Sequence, residues 1–307
     1  MHAQRVETLD NLPKRPADAH KGTFGTTAII GGSAGSHHDQ DFAATMLGAP
    51  ALAAMGAIRA GCGLVKIAAP APIIDSILTL APFATGFGIE VDDQRSIIAS
   101  HAAVIIDELV RTTNAIVAGP GMGTGHEIEQ LITRLIGQDS TPIVIDADGL
   151  NALANISDFA RDVHATMVLT PHPGEATRLM EALSISGDPA GNTDQRIAAC
   201  TAIAQRVGCL VVLKGKGTVV SDGHRYWICE RGTPALAAGG TGDVLSGIIG
   251  SLIAQNINLF MACAIGVQAH AIAGEQWAKT HQATGGLIAS ELTQELPNII
   301  ESMRTDS

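Results

Sequence analysis

A short apolar run that breaks into glycines or polar residues, then gives way to apolar residues at helical spacing, recurs along this chain. The runs at 26–30, 64–68, 115–118, 142–145, 167–170 and 210–214 read as strands. Helical periodicity appears at 47–60, 73–80, 96–109, 126–136, 175–183 and 193–207, and three more helices fill 242–255, 259–279 and 288–303. Strands that alternate with helices pair in parallel, because each crossover returns the chain to the same edge of the sheet. The pattern predicts a three-layer α/β fold, with a mostly parallel central sheet flanked by helices. Two further strands, 218–221 and 225–228, flank Asp222-Gly223, a dipeptide suited to a tight hairpin, and would add an antiparallel piece.

Composition narrows the possibilities. Apolar residues form 46% of 307, and no Pro/Ser-rich linker or charge block divides them. Residues 1–19, polar and broken by Pro13 and Pro16, are expected to form a loosely held arm, and 20–307 a single domain. A net charge of −11 argues against a sequence-independent hold on nucleic acid. The most apolar stretch, 259–274, contains Gln268 and His270, is too short to span a bilayer, and reads as a buried helix, so no membrane partner is expected. Five scattered cysteines, without a CxxC pair or a secretory signal, read as reduced thiols in a cytoplasmic protein.

Chemistry concentrates in the turns. Gly239, Gly240 and Gly242 surround Thr241 just before an apolar helix. A glycine turn feeding a helix leaves first-turn amides without partners, and the helix dipole adds positive charge there, so phosphate is the natural guest. Asp243 would repel that guest unless it has a task, such as taking a proton from a hydroxyl; otherwise it only complements the dipole. Lys214 and Lys216, in Lys214-Gly-Lys-Gly-Thr218, could hold a nucleotide's ribose or phosphates, or form a solvated basic hairpin. In Thr170-Pro-His-Pro-Gly-Glu175, two prolines fix the backbone around His172. Glu175 either opens a helix as a dipole-matched acid or orients water around a phosphate-bound Mg²⁺. Asp146 and Asp148 end another strand, where one could cap the next helix and leave the other for ligand or metal. His37-His38-Asp39 invites a metal reading, but neighbours on one loop rarely converge on one ion. Gly119-Pro-Gly-Met-Gly123 does not fit the dinucleotide fingerprint, no P-loop is present, and no nucleophile elbow occurs in a strand–turn–helix setting.

These segments, taken in order, carry a resemblance. His20-Lys-Gly-Thr-Phe-Gly25, Ile30-Gly-Gly-Ser33, Gly48-Ala-Pro-Ala-Leu-Ala-Ala54, Arg59-Ala-Gly-Cys-Gly-Leu64, Gly119–Gly123, Asp146-Ala-Asp-Gly-Leu-Asn151, Thr170–Glu175, Lys214–Thr218 and Gly239–Gly247 together resemble the ADP-dependent NAD(P)H-hydrate dehydratases of the ribokinase-like superfamily. The resemblance implies a ribokinase-like fold, a homotetramer, and repair of hydrated NADH or NADPH (the S-form of NADHX or NADPHX) coupled to cleavage of ADP into AMP and phosphate. It implies that Lys214, Gly215, Lys216, Gly217, Thr218 and Gly242 hold the adenine nucleotide. Asp243 would face the hydrate's hydroxyl, with Gly240, Thr241 and Gly242 beside it as the anion cradle. Ala49, Gly121 and His172 would line the hydrate site, and Glu175 would be the glutamate associated with Mg²⁺. The segment 36–47 looks like an insertion relative to the family, and 232–237 departs from its usual turn. Too few residues precede His20 for the epimerase domain fused to many members, so a separate epimerase is expected to work on the same substrate. The rivals are a ribokinase-like kinase of a vitamin-precursor alcohol, a non-catalytic nucleotide-binding protein, and, most weakly, a metal-dependent hydrolase using His37, His38 and Asp39.

Overall fold

Valine and isoleucine dominate the central strands because both faces of the sheet are covered. In the computed structural model, which describes residues 3–35 and 44–304, ten strands form one sheet. They are β1 (Gln4–Arg5), β2 (Thr26–Ile30), β3 (Leu64–Pro70), β4 (Thr85–Ile89), β5 (Ala115–Ala118), β6 (Ile143–Ile145), β7 (Met167–Leu169), β8 (Leu210–Leu213), β9 (Thr218–Ser221) and β10 (Arg225–Cys229). Their order is β1-β10-β9-β8-β7-β6-β5-β2-β3-β4, and among them only β9 runs antiparallel to its neighbours. The predicted hairpin is that antiparallel piece.

Alternation along each strand assigns the layers. Ile29, Val144 and Val168 face α1 (Gly48–Arg59), α2 (Ala71–Leu80), α8 (Thr241–Ala254), α9 (Leu259–His281) and α10 (Ala289–Ser302). Ile30, Ile145 and Leu169 face the opposite layer of α3 (Ala99–Thr112), α4 (His126–Ile136), α5 (Asp148–Asn155), α6 (Pro173–Ala182) and α7 (Thr193–Val207). The three-layer expectation therefore holds.

Three expectations need correction. The N-terminal arm is tied down at two points: β1 pairs with β10, and Leu12 is buried in the core. The third helix begins at Ala99 rather than 96, because the Asp92 carboxylate accepts the amides of Gln94 and Ser96 and holds them in a turn. Strand β4 escaped sequence reading because Gly86 and Gly88 erase its alternation; a Cβ at Gly86 would press within 2.7 Å of Leu78 on the covering helix α2.

Candidate active site

The parallel strands β2, β5, β6, β7 and β8 point their carboxyl ends at one edge, where ligands of open α/β sheets bind. Lys214 follows β8 there, its amide donating to the Pro171 carbonyl and its Nζ lying 2.6 Å from Asp146 Oδ1 and 3.7 Å from Glu175 Oε2. A Cβ placed on Gly242 would lie 3.5 Å from the same Nζ, so the start of α8 reaches this edge too. Lys214 is thus a half-buried member of a charge cluster, not a solvated hairpin residue. Burial works against its ammonium, but Asp146 and Glu175 outweigh that and hold its pKa above the ordinary lysine range.

At the opening of α8, Gly240 takes φ 88°, a left-handed conformation that a side chain would strain. The Thr241 hydroxyl donates to the carbonyls of Leu236 and Ala238, locking the turn. The Thr241 amide approaches the Ala238 carbonyl and the Val244 amide donates to that of Gly240, while among the described residues no acceptor meets the amides of Gly242 or Asp243. Two N–H groups at a helix start, beside a lysine, make an anion cradle. Asp243 stands over it. Burial, then the charge of Asp146, raises its carboxyl to about 7, and the nearby Lys214 ammonium only partly offsets this. A carboxylic acid tuned near neutrality can accept a proton and release it again.

Between Asp146 and Asp148, Ala147 adopts φ 49°, ψ −121°, a costly backbone for a residue with a Cβ. The twist sends the two carboxylates apart. Asp146, 1% exposed, pairs with Lys214, while Asp148 Oδ2 accepts the Gly123 amide at 2.9 Å and ties down the loop after β5. Neither caps α5 through its side chain, contrary to expectation; Ala147 occupies the cap position.

His172 caps α6: its Nδ1 accepts the amides of Gly174 and Glu175, so in the neutral ring the proton sits on Nε2. Glu175 returns the contact, Oε2 accepting the His172 amide at 2.7 Å. Both the helix-start role and the contact with Lys214 are therefore present in this buried residue. Burial raises the Glu175 carboxyl, and burial together with Lys214 lowers the His172 imidazole. The His172 side chain remains 51% exposed, with its Nε2 3.3 Å from Glu175 Oε1.

Ala49, in the first turn of α1, and Gly121, in the loop after β5, are neighbours: a Cβ on Gly121 would lie 3.1 Å from that of Ala49. Leu52 of α1 abuts Gly240, which brings this pair alongside the cradle. Lys216 is exposed, and Gly215, Gly217 and Thr218 carry the turn from Lys214 into β9. Of the insertion at 36–47, residues 36–43, and with them His37, His38 and Asp39, lie outside the described residues. A separate cavity of about 500 Å³ lies between residues 5–11 and β10, away from these groups.

Sequence reasoning missed His270. Only 9% exposed within α9, its Nε2 lies 2.9 Å from the Thr241 carbonyl, to which it must donate because a carbonyl only accepts. Burial lowers its pKa to about 4, so the ring is neutral at pH 7. The single hint was a histidine set among alanines and isoleucines. His270→Leu would remove a second donor from the Thr241 carbonyl, which keeps its place in the α8 ladder, so the expected outcome is a loss of about 0.5–1.5 kcal/mol in a denaturant titration.

A family model described as NAD(P)H-hydrate dehydratase matches residues 42–298. The chain belongs to the NAD(P)H-hydrate dehydratase family. It is 36% identical over 300 residues to the ADP-dependent (S)-NAD(P)H-hydrate dehydratase of Neisseria meningitidis, covering 94% of this chain and 90% of that one. It is 35% identical over 285 residues to the bifunctional NAD(P)H-hydrate repair enzyme of Coxiella burnetii, covering 92% of this chain. The chain spans about half the length of the bifunctional relatives it matches, 51% in that case. The crystal structure of an ADP/ATP-dependent NAD(P)H-hydrate dehydratase of Bacillus subtilis, co-crystallized with ATP/Mg²⁺, superposes with a TM-score of 0.77 at 30% identity, covering 95% of both chains. The fold of this dehydratase-family chain is ribokinase-like.

Proposed function

We propose that this dehydratase-family protein restores NADH and NADPH from the S-form of their hydrates, cleaving ADP to AMP and phosphate as it does so. The observation that carries the reading is the meeting, at one sheet edge, of two unpartnered amides, the Lys214 ammonium and a buried carboxyl tuned to about 7. Hydroxide is a poor leaving group and phosphate a good one. In its carboxylate form Asp243 takes the proton of the hydrate's hydroxyl, and that oxygen attacks the terminal phosphorus of ADP. The bond to the bridging oxygen breaks and AMP departs. The amides of Gly242 and Asp243 receive the charge that develops on the transferred group. The ring nitrogen's lone pair then expels phosphate, which carries the former hydroxyl oxygen, and the adjacent ring carbon gives up its proton to the departing phosphate or to water, so that the dihydropyridine double bond is restored.

Lys214, Gly215, Lys216, Gly217 and Thr218 hold the nucleotide in this account, with Gly242 at its phosphate end. Ala49, Gly121 and His172 line the hydrate pocket, and Gly240 and Thr241 shape the cradle. Mg²⁺ fits the donor chemistry. Among the described residues, Asp146, Asp148, Glu175 and Asp243 crowd together against the Lys214 ammonium and, at Glu175, the Arg178 guanidinium, an excess of negative charge that a cation on the phosphates would offset. Among the described residues no cluster of three metal-ligating side chains forms, and Glu175 spends an oxygen on the His172 amide. The fitting role for Glu175 is therefore to hold water around a phosphate-borne ion, which when bound would supply neutralising charge. No described helix is long and apolar enough to cross a membrane. The remainder of the proposal is a cytoplasmic homotetramer working beside a separate epimerase.

The test is incubation with the hydrate of NADH, Mg²⁺ and either ADP or ATP, following the absorbance band of reduced nicotinamide. Recovery of NADH with release of phosphate supports the proposal. A stable phosphate ester formed from a vitamin-precursor alcohol, with no NADH recovered, would replace it with the kinase reading.

A further inference from the structure

Arg196 lies outside every group described so far. It comes from the first turn of α7, on the layer opposite α8, and is 7% exposed. Its Nη1 donates to the Pro189 carbonyl, and its Nη2 contacts the carbonyls of Leu213 and Lys214 at 3.2 Å and of Gly217 at 3.5 Å. Among the described residues no carboxylate pairs with the guanidinium, and its buried Nε has no partner. Burial lowers its pKa, but a guanidinium remains charged at neutral pH. A buried cation without a counter-charge is expensive unless the structure gains from it.

The gain lies in the loop it grips. A trans peptide points its C=O and the next residue's N–H in opposite directions. With the Lys214 carbonyl drawn to Arg196, the amide of Gly215 is turned to the other side of the loop. Gly215 at φ 134° and Gly217 at φ 66° allow the chain to coil tightly around the guanidinium. A Cβ on Gly215 would stand 3.2 Å from both terminal nitrogens of Arg196, so glycine is also what permits the approach. Loops whose carbonyls are gathered on one side and amides on the other form concave anion sites.

We propose that Arg196 is the positioning residue of the nucleotide loop. From beneath, it gathers the loop's carbonyls, turns the Gly215 amide toward a nucleoside diphosphate, and supplies the uncompensated charge that the diphosphate balances. This rests on the reading that Lys214–Thr218 receives the nucleotide. It adds a residue that touches neither substrate.

The experiment measures ADP affinity by calorimetry, and kcat and KM for both substrates, in wild type, Arg196→Met and Arg196→Lys. Circular dichroism and the melting temperature report folding. The expected result for Arg196→Met is a Kd and KM for ADP raised about tenfold or more, the scale of one lost charge-assisted hydrogen bond, with KM for the hydrate within about twofold. Arg196→Lys, which keeps the charge but not the planar fork, should recover only part of the affinity. Unchanged ADP affinity in a folded Arg196→Met would overturn the proposal. If that variant does not fold, full ADP affinity in Arg196→Lys overturns it instead, since one ammonium cannot hold the fan of carbonyls. The two readings fail separately. Wild type that binds ADP but recovers no NADH sinks the proposed reaction and leaves Arg196 to be judged by affinity alone.

Discussion

Asp243→Asn is expected to lower kcat by at least about two orders of magnitude while leaving ADP binding largely intact, because it removes the proton acceptor and keeps the cradle. The same carboxyl sets the pH profile. With its pKa raised to about 7, only the deprotonated fraction can accept the hydroxyl proton, so kcat/KM of the wild type should climb with pH through about 7 and level off above it. Stability should move the other way. The unfolded chain ionises this group near 3.8 and the fold resists doing so, so the stability it contributes is complete below that value and is lost as pH rises to about 7. Asp243→Asn should therefore melt above the wild type at pH 8, by the equivalent of up to about 4 kcal/mol, and match it below pH 4. A variant that is less active but more stable is the signature of a carboxyl held against its preference. One that kept near-full activity at saturating substrates would remove Asp243 from the chemistry.

Lys214→Met is expected to be the most destabilising single change at the site. It strands Asp146, which is almost fully buried, and leaves Glu175 without its nearest cation. Breaking a buried pair by removing one partner costs about 3–5 kcal/mol, which a urea titration would resolve. Activity should fall with it, since the same ammonium stands beside the cradle at Gly242. The double variant Lys214→Met/Asp146→Asn should regain much of the stability, because no buried charge is then left alone, but none of the activity. Equal stability of the two variants would mean that the stranded Asp146 carboxylate costs nothing, and Asp146→Asn alone closes the cycle that measures the coupling.

Much of this architecture was legible in the sequence. The helices 126–136 and 193–207 and the strand 218–221 have the bounds that periodicity assigns them, because their apolar spacing meets clear punctuation at both ends. Strand β4 was not legible, since glycines at alternate positions remove the pattern that marks a strand, and β1 is too short to carry one. At the site, the glycine turn before α8 announced its unpartnered amides, because these follow from local chain conformation alone. The destination of Lys214 was hidden: its partner Asp146 lies 68 positions away and meets it only through the order of β6, β7 and β8. His270 and Arg196 were hidden for the same reason. Each acts on the backbone of a distant turn, a contact with no trace in the spacing around it.

The central claim is that the hydrate's own oxygen attacks the nucleotide, with Asp243 taking its proton. The most direct measurement uses hydrate prepared with heavy oxygen in its hydroxyl, turned over with ADP and Mg²⁺ in ordinary water, with the released phosphate weighed by mass spectrometry. The account predicts that the phosphate carries the heavy oxygen. Phosphate without the label, formed while NADH is recovered, would mean that water cleaves the nucleotide, and would contradict it.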